Sequence, residues 1–500
     1  MTISLSILNR VSRCQPAIKP ARWPVFFRCP RRKERLAKVG DRARVNRIRD
    51  AVNALHHNSG WFLFLFVATI TFAIPSQADT ARWDRAWRRQ VDVRVEETAG
   101  LARANEPVEL RLPAAGLPLE RWRREMRVIE LPVGKEVSSQ VLAVSGKGQV
   151  AVVFPSTLGS GKKRVYRIYF DNPKAKAPVY QTDLTTQPVT GFVKIEPRRA
   201  FALSIRNGHL RVDLHPKSGQ IGKLAFLKGT GDLWGFVGGN QNSNLHWNPD
   251  LRNRSRLFDA PGLNGKRAWE YVHYWDPPPN AVVETGPVLV RVRRWGVFAH
   301  TPEVFCSVTY TIHAHRPLVV VDTELRMLKD YDLEFLRDDE FGFKLGFNRA
   351  LWQEKTGPPR AWDLTKLLPI GRQAHGKKIE ANGILPLEPD CPWITFYHDQ
   401  TADAVAVIHT RYENGAVGKV KMDPPMSFIH VKGPAYNYWG RVLAGKLHRL
   451  PQAKLTKGLE WKTQSVLLVH RFAGKGEPKT LLHYNQRLRQ PLKVTVLPKK

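Results

Sequence analysis

From Val91 to Pro173 the chain repeats one local pattern: VDVRVEE, VELRLP, MRVIELPVG, VAVVFPS and RVYRIYFDNP, each alternating apolar and polar residues and separated from the next by Gly, Pro or Asn. Successive side chains of an extended strand point to opposite faces, so such a segment makes a ribbon with one apolar and one polar side. A helix would need an apolar stripe every three to four residues, and almost no long stretch of the sequence carries one. Short strands divided by turn residues predict a small antiparallel β-sandwich or barrel over residues 87–172.

The next stretch, NPKAKAPVYQTDLTTQP, has no period and reads as a linker over residues 173–190. Strands then resume and lengthen. FALSIRNGHLRVDLHPKSGQIGKLAFL holds two turn signals and reads as a three-strand meander, and VLVRVRRWGVF, VFCSVTYTIHAH, PLVVVDTELRML, WITFYHD, AVAVIHT, SFIHVKG and WKTQSVLLVHRF continue the pattern. A β-region of this length exceeds one small sandwich, so residues 191–475 are expected to form a large sheet-on-sheet sandwich. No repeat of about 20–50 residues is visible, which argues against a propeller. Residues 476–500 read as a basic tail.

Residues 1–78 read as a basic extension plus a signal peptide, since WFLFLFVATITFAI is an uncharged run of 14 residues followed by PSQA. Cleavage is expected after Ala78, giving a secreted or periplasmic protein with no membrane association after cleavage. The full chain carries a formal charge of +35, and the first 78 residues hold 14 Lys and Arg against 3 Asp and Glu, which leaves +24 on the remainder. That balance favours an anionic partner. The basic residues are dispersed among strands rather than clustered, which together with export excludes nucleic acid as the expected partner. Cys306 and Cys391 remain after cleavage, either as one disulfide or as two buried thiols. The sequence sets no oligomeric state.

Two stretches depart from the strand pattern: LHWNPD, from Leu245 to Asp250, and YVHYWDPPP, from Tyr271 to Pro279. Both precede a strand in which Val288, Val290 and Val292 share one face while Arg291, Arg293 and Trp295 share the other with Leu289. The following strand sets His313 and His315 on one polar face. Loops at a sheet rim concentrate functional residues. Aromatic planes stack on the C–H face of a sugar ring, and Arg, Asn and Asp meet its hydroxyls and carboxylate. Trp247, Asn248, Asp250, Trp275, Asp276, Arg291, Arg293, Trp295, His313 and His315 are therefore expected to line a glycan cleft. The plainer reading makes Trp247 and Trp275 packing residues under long loops.

A signal peptide, a small amino-terminal β-domain and a large sandwich ending in GLEWKTQSVLLVHRF resemble the β-supersandwich of galactose-mutarotase-like proteins and of several polysaccharide lyases. The opening domain loosely resembles the β-barrel that begins the exo-rhamnogalacturonan-lyase family. The resemblance spans about Trp87 to Phe472. It implies an all-β, carbohydrate-active protein: a small β-sandwich or barrel followed by a galactose-mutarotase-like supersandwich.

The first chemical reading is β-elimination on an acidic, uronate-containing polysaccharide. That reaction needs a cation at the carboxylate, a base for the neighbouring C–H and an acid for the leaving oxygen. Arg254, Arg291 and Arg293 are candidate cations, His246 and His273 candidate bases, and Tyr274 a candidate acid. The second is glycoside hydrolysis, which needs two carboxyl groups. LRDDEFGF offers Asp338, Asp339 and Glu340, with Asp250 and Asp276 in the loops, although RDDE by itself reads as a solvated turn. The third is glycan binding without catalysis. No cofactor and no metal are expected, since His313 and His315 would need His273, His398 or a carboxylate to complete a ligand set.

Overall fold

The structure is a computed structural model. It describes residues 83, 85–144, 148–188, 203–214, 221–234, 250–252, 258–259, 266–267, 269–271, 280–298, 300–343, 347–366, 373–374, 377–378, 384–388, 391–416, 419–421, 425–431, 437–445 and 453–498. The protein is all-β, with a small sandwich and a large one.

In the small sandwich, a five-stranded sheet faces a three-stranded one. Strand Arg89–Glu96 pairs along its whole length with Lys163–Phe170, and Arg103–Pro113 pairs with Gln149–Leu158. The alternating valines and leucines do what the pattern implies. Val93, Val95, Val108, Leu110, Val152, Phe154 and Ile168 meet in one buried core. One short helix, Leu119–Glu125, presents Trp122 to that core, where its ring stacks on Phe170 at 4.4 Å.

Residues 476–500 correct the sequence reading. They contain the helix Lys479–Arg489 and the strand Lys493–Val496, which pairs antiparallel with Arg89–Glu96 and so completes the amino-terminal sheet. The composition is basic, but Leu481 is fully buried among Trp393, Ala406 and Leu468, and Val494 packs on the small core. Thr185–Pro188, inside the stretch read as a linker, is the edge strand of a five-stranded sheet and pairs with Leu203–Arg206.

Three sheets build the large sandwich. The five-stranded sheet contains the predicted meander as Leu203–Arg206, Leu210–Leu214 and Ile221–Phe226. A ten-stranded sheet runs from Asn280–Thr285 through Leu289–Val297, Val304–His313, Leu318–Met327, Leu459–Arg471, Asp403–Ala416, Trp393–Tyr397 and Arg349–Gln353 to Arg360–Asp363, with Lys419–Lys421 paired as a branch to Asp403–Ala416. A six-stranded sheet has the order Trp269–Tyr271, Asp250–Arg252, Phe335–Phe343, Asn437–Gly445, Met426–Val431, Ile384–Pro386. One core joins all three. The meander contributes Val212 and Leu224, the ten-stranded sheet Val290, Val292, Tyr310 and Val407, and the six-stranded sheet Ile429 and Trp439. Cys306 and Cys391 are both buried free thiols.

Candidate functional site

LRDDEFGF is a strand of the six-stranded sheet rather than a solvated turn, and Leu336, Arg337 and Asp338 are all buried. Its pairing with Asn437–Gly445 shifts register between Leu336 and Arg337 and again between Arg337 and Asp339. Such bulges re-aim side chains and are common beside functional sites. Here neighbouring residues serve opposite faces. Asp338 turns inward, and its Oδ2 accepts a hydrogen bond from the Thr463 hydroxyl of the ten-stranded sheet at 2.6 Å. The Arg337 guanidinium instead lies over the ring of Phe428 at 5.8 Å.

Phe428 belongs to the sheet's other face, where Ile384, Tyr438 and Val442 form a cluster separate from the main core. His430 shares this face, its ring stacked on Tyr438 at 4.4 Å and 13°. A guanidinium, an imidazole and two aromatic planes thus occupy one sheet face. Gly440, the register partner of Phe428 and also of Glu340, adds no side chain between them.

The inner face is charged for a different reason. Arg294 is buried between the sheets, which pushes its guanidinium down to about 10, and the nearby Tyr310 phenol partly offsets this. Burial raises the Tyr310 phenol and the Cys306 thiol well above their usual ranges, and the negative charge of Asp338 and Glu324 adds to the latter. Arg441 lies over the Tyr412 ring at 5.5 Å.

His246, Trp247, Asn248, Arg254, His273, Tyr274, Trp275 and Asp276 lie outside the described residues. The ends of their two stretches do not. Asp250, the last residue of LHWNPD, is the register partner of Tyr271, the first of YVHYWDPPP, and on its other side Asp250 is the partner of Arg337. Both stretches therefore join the six-stranded sheet at one point, next to the acidic strand.

Arg291, Arg293 and Trp295 belong to the ten-stranded sheet, where Asn280, the residue that follows YVHYWDPPP, is the register partner of Trp295. Val290 and Val292 face the core shared with the six-stranded sheet, so their odd-numbered neighbours lie on the opposite, outer face of the ten-stranded sheet. Arg291 donates to Glu109 of the small sandwich at 2.7 Å, and Arg293 stacks over Trp295 at 5.2 Å. His313 and His315 also separate. His313 is buried, and its imidazole is pushed down to about 3 by burial and by the cations Arg316 and Arg291. His315 lies beyond the strand end with φ 58° and is ion-paired with Asp183 at 3.1 Å. Alternation gave the strand's faces but not the small sandwich that covers one of them.

Arg337, His430 and Tyr438 were missed as site residues because each comes from a strand that reads as ordinary. The available signal was a charged run bounded by the apolar residues Leu333, Phe335, Leu336 and Phe341, a setting that suits a buried strand better than a turn.

No protein-family model matches the sequence, and no curated protein matches it. Solved structures are similar in fold. An α-mannosidase from Enterococcus faecalis V583 superposes with a TM-score of 0.46 at 12% identity, over 82% of this chain and 46% of that one. A galactose mutarotase-like protein from Lactobacillus casei gives 0.34 at 10% identity over 54% of this chain and 100% of its own. A galactose mutarotase related enzyme from Lactobacillus acidophilus gives 0.34 at 12% identity over 55% and 100%. The chain spans about half the length of the α-mannosidase it matches.

Proposed function

We propose that the protein is carbohydrate-active and that its reaction is glycoside hydrolysis, carried by Asp250, the register partner of Arg337, and Glu340, three residues on from Arg337 along its own strand. The observation that carries this is the register of three neighbouring strands. Asp250 pairs with Arg337, Arg337 pairs with Val442, and Glu340 pairs with Gly440, two residues along the same partner strand. Strands lie about 4.8 Å apart and rise about 3.3 Å per residue, so the backbone positions of Asp250 and Glu340 are about 8 Å apart, close enough for their two side chains to act on one bond. Hydrolysis with inversion uses carboxyl groups about 6.5–9.5 Å apart, one to protonate the leaving oxygen and one to activate water.

β-Elimination loses two of its candidate groups, because Arg291 and Arg293 belong to the outer face of the other sheet and Arg291 is already paired with Glu109. The excess of basic residues and Arg337 favour an acidic glycan, met outside the cytoplasm after cleavage at Ala78. The test is a panel of acidic and neutral polysaccharides assayed for new reducing ends and, separately, for the ultraviolet absorbance of an unsaturated product. New reducing ends without that absorbance, lost in Glu340→Gln and Asp250→Asn, support the proposal. Unsaturated products, or full activity in both variants, overturn it.

A further inference from the structure

A cleft of about 190 Å³ opens on the flank of the small sandwich, against the turn between Asn280–Thr285 and Leu289–Val297. Arg123 and Met126 reach it from the helix Leu119–Glu125 and its end, Gln140 and Val141 from the strand Gln140–Ala143, Pro178 from the connecting segment, and Gly286 and Pro287 from the turn. An apolar cavity of about 150 Å³ takes up benzene, so this cleft has room for a six-membered ring.

Gln140 is only 7% exposed, and just one end of its amide is used. Its Oε1 accepts the backbone N–H groups of Leu289 at 3.0 Å and Val288 at 3.3 Å, which fixes which end of the amide is the nitrogen. That nitrogen, Nε2, has no hydrogen-bond partner among the described residues, yet it is not one of the atoms sealed from solvent. A Cβ on Gly286, itself in the cleft wall, would lie 2.7 Å from Nε2. Glycine at this position leaves the amide N–H groups open to the cleft.

Arg123 adds donors of the same kind. Its Nη1 donates to Glu120 at 2.8 Å, while its Nη2 stands 3.9 Å from Glu284, whose Oε1 already accepts the Ala143 N–H at 2.8 Å. Nε and Nη2 therefore donate to no acceptor among the described residues. Both Arg123 and Glu120 are exposed, and a pair three residues apart on a helix surface is weak, so a better acceptor displaces Glu120 readily. Glu136, the next carboxylate, is held by the Tyr180 hydroxyl at 2.7 Å and by Arg127 at 3.3 Å.

The groups left unmet in this cleft are thus nitrogen donors, one of them a cation, beside the apolar surfaces of Met126, Val141, Pro178 and Pro287. A carboxylate, with two acceptor oxygens, is the group that satisfies a guanidinium and an amide together. We propose that the cleft binds one uronate residue, its carboxylate held by the Arg123 guanidinium and Gln140 Nε2 and its ring lodged against Val141 and Pro287. The choice of a uronate rests on the acidic-glycan reading above.

The experiment is ligand-observed saturation-transfer NMR on the full chain with glucuronate and galacturonate, with glucose and galactose as their neutral counterparts, and with acetate titrated as a competitor. The expected result is transfer to at least one uronate and to neither neutral sugar, acetate competing only at about tenfold higher concentration, and a uronate affinity at least about tenfold lower in Arg123→Gln, the loss of one charge-assisted hydrogen bond. Arg123 is exposed, so its replacement leaves the fold intact, and Arg123→Lys should restore only part of the affinity because it keeps the charge without the fork. Glu340→Gln leaves this binding unchanged. Reducing-end release without uronate binding would sink this site and spare the catalytic reading, and binding without release would do the reverse. No transfer to either uronate, equal transfer to the neutral sugars, acetate competing at the same concentration as a uronate, or an unaltered affinity in Arg123→Gln would overturn the proposal.

Discussion

Asp338 has no exposed surface, and the Thr463 hydroxyl is one of the groups that hold its charge. Thr463→Val keeps the side-chain shape and removes that donor, so it should cost about 1–3 kcal/mol in urea unfolding with little change in the m-value. Several histidines act in the opposite sense. Burial pushes His313 down to about 3 and His470 to about 4, against 6.5 in the unfolded chain. Each stays neutral in the folded protein while the unfolded chain takes up a proton, so the stability it contributes is complete above pH 6.5 and is lost as pH falls toward its folded value. The loss is about 1.4 kcal/mol per pH unit for each group. Between about pH 6.5 and pH 5, His313→Gln should lose about 2 kcal/mol less than the parent protein in chemical unfolding. An unchanged difference would show that His313 is charged in the folded state. None of this was visible in the sequence, where HAH is an alternating pair with nothing to mark which member a second sandwich would bury.

The helix Lys479–Arg489 and the strand Lys493–Val496 show how composition misleads when the buried residues are few. Leu481 packs fully buried against Trp393 and Leu468, while most of the helix is polar. Leu481→Ala should cost about 2–5 kcal/mol, measured by chemical denaturation. Removing residues 491–500 takes away the partner of Arg89–Glu96 and leaves that strand as a sheet edge. Hydrogen exchange at Val93 and Val95 should then quicken, and the truncated protein should self-associate; unchanged exchange would mean that the carboxyl-terminal strand adds nothing to the sheet. Long alternating strands such as Val304–His313 and Leu318–Met327 were legible because each states its own period. The acidic strand was not, since bulges and the partner across the sandwich are long-range facts that no local window contains.

The two sandwiches are joined by buried polar contacts as well as by the chain. Gln140 of the small one accepts the backbone N–H of Leu289 at 3.0 Å, and Glu106 is shared by Arg316 and Arg487. A Cβ on Gly286 would run into the Gln140 side chain. Gly286→Ala should therefore disturb this joint at a cost of about 1–3 kcal/mol. Breaking a buried ion pair leaves its partners uncompensated, so Glu106→Gln should cost about 3–5 kcal/mol, read by calorimetry. The order of a small β-domain before a large β-sandwich could be read from turn spacing, whereas the return of the carboxyl terminus to the first sheet could not. In the six-stranded sheet, register brings Asp250, Arg337 and Glu340 together. That arrangement is tested most directly by assaying the full chain and its Glu340→Gln variant for reducing ends released from acidic polysaccharide, with thermal unfolding of both as the control. The parent should release reducing ends and the variant should lose at least about a hundredfold of that rate, the scale of one acid–base group, while melting within a few degrees of the parent. Release of an unsaturated product by the parent, or an unimpaired Glu340→Gln variant, would contradict it.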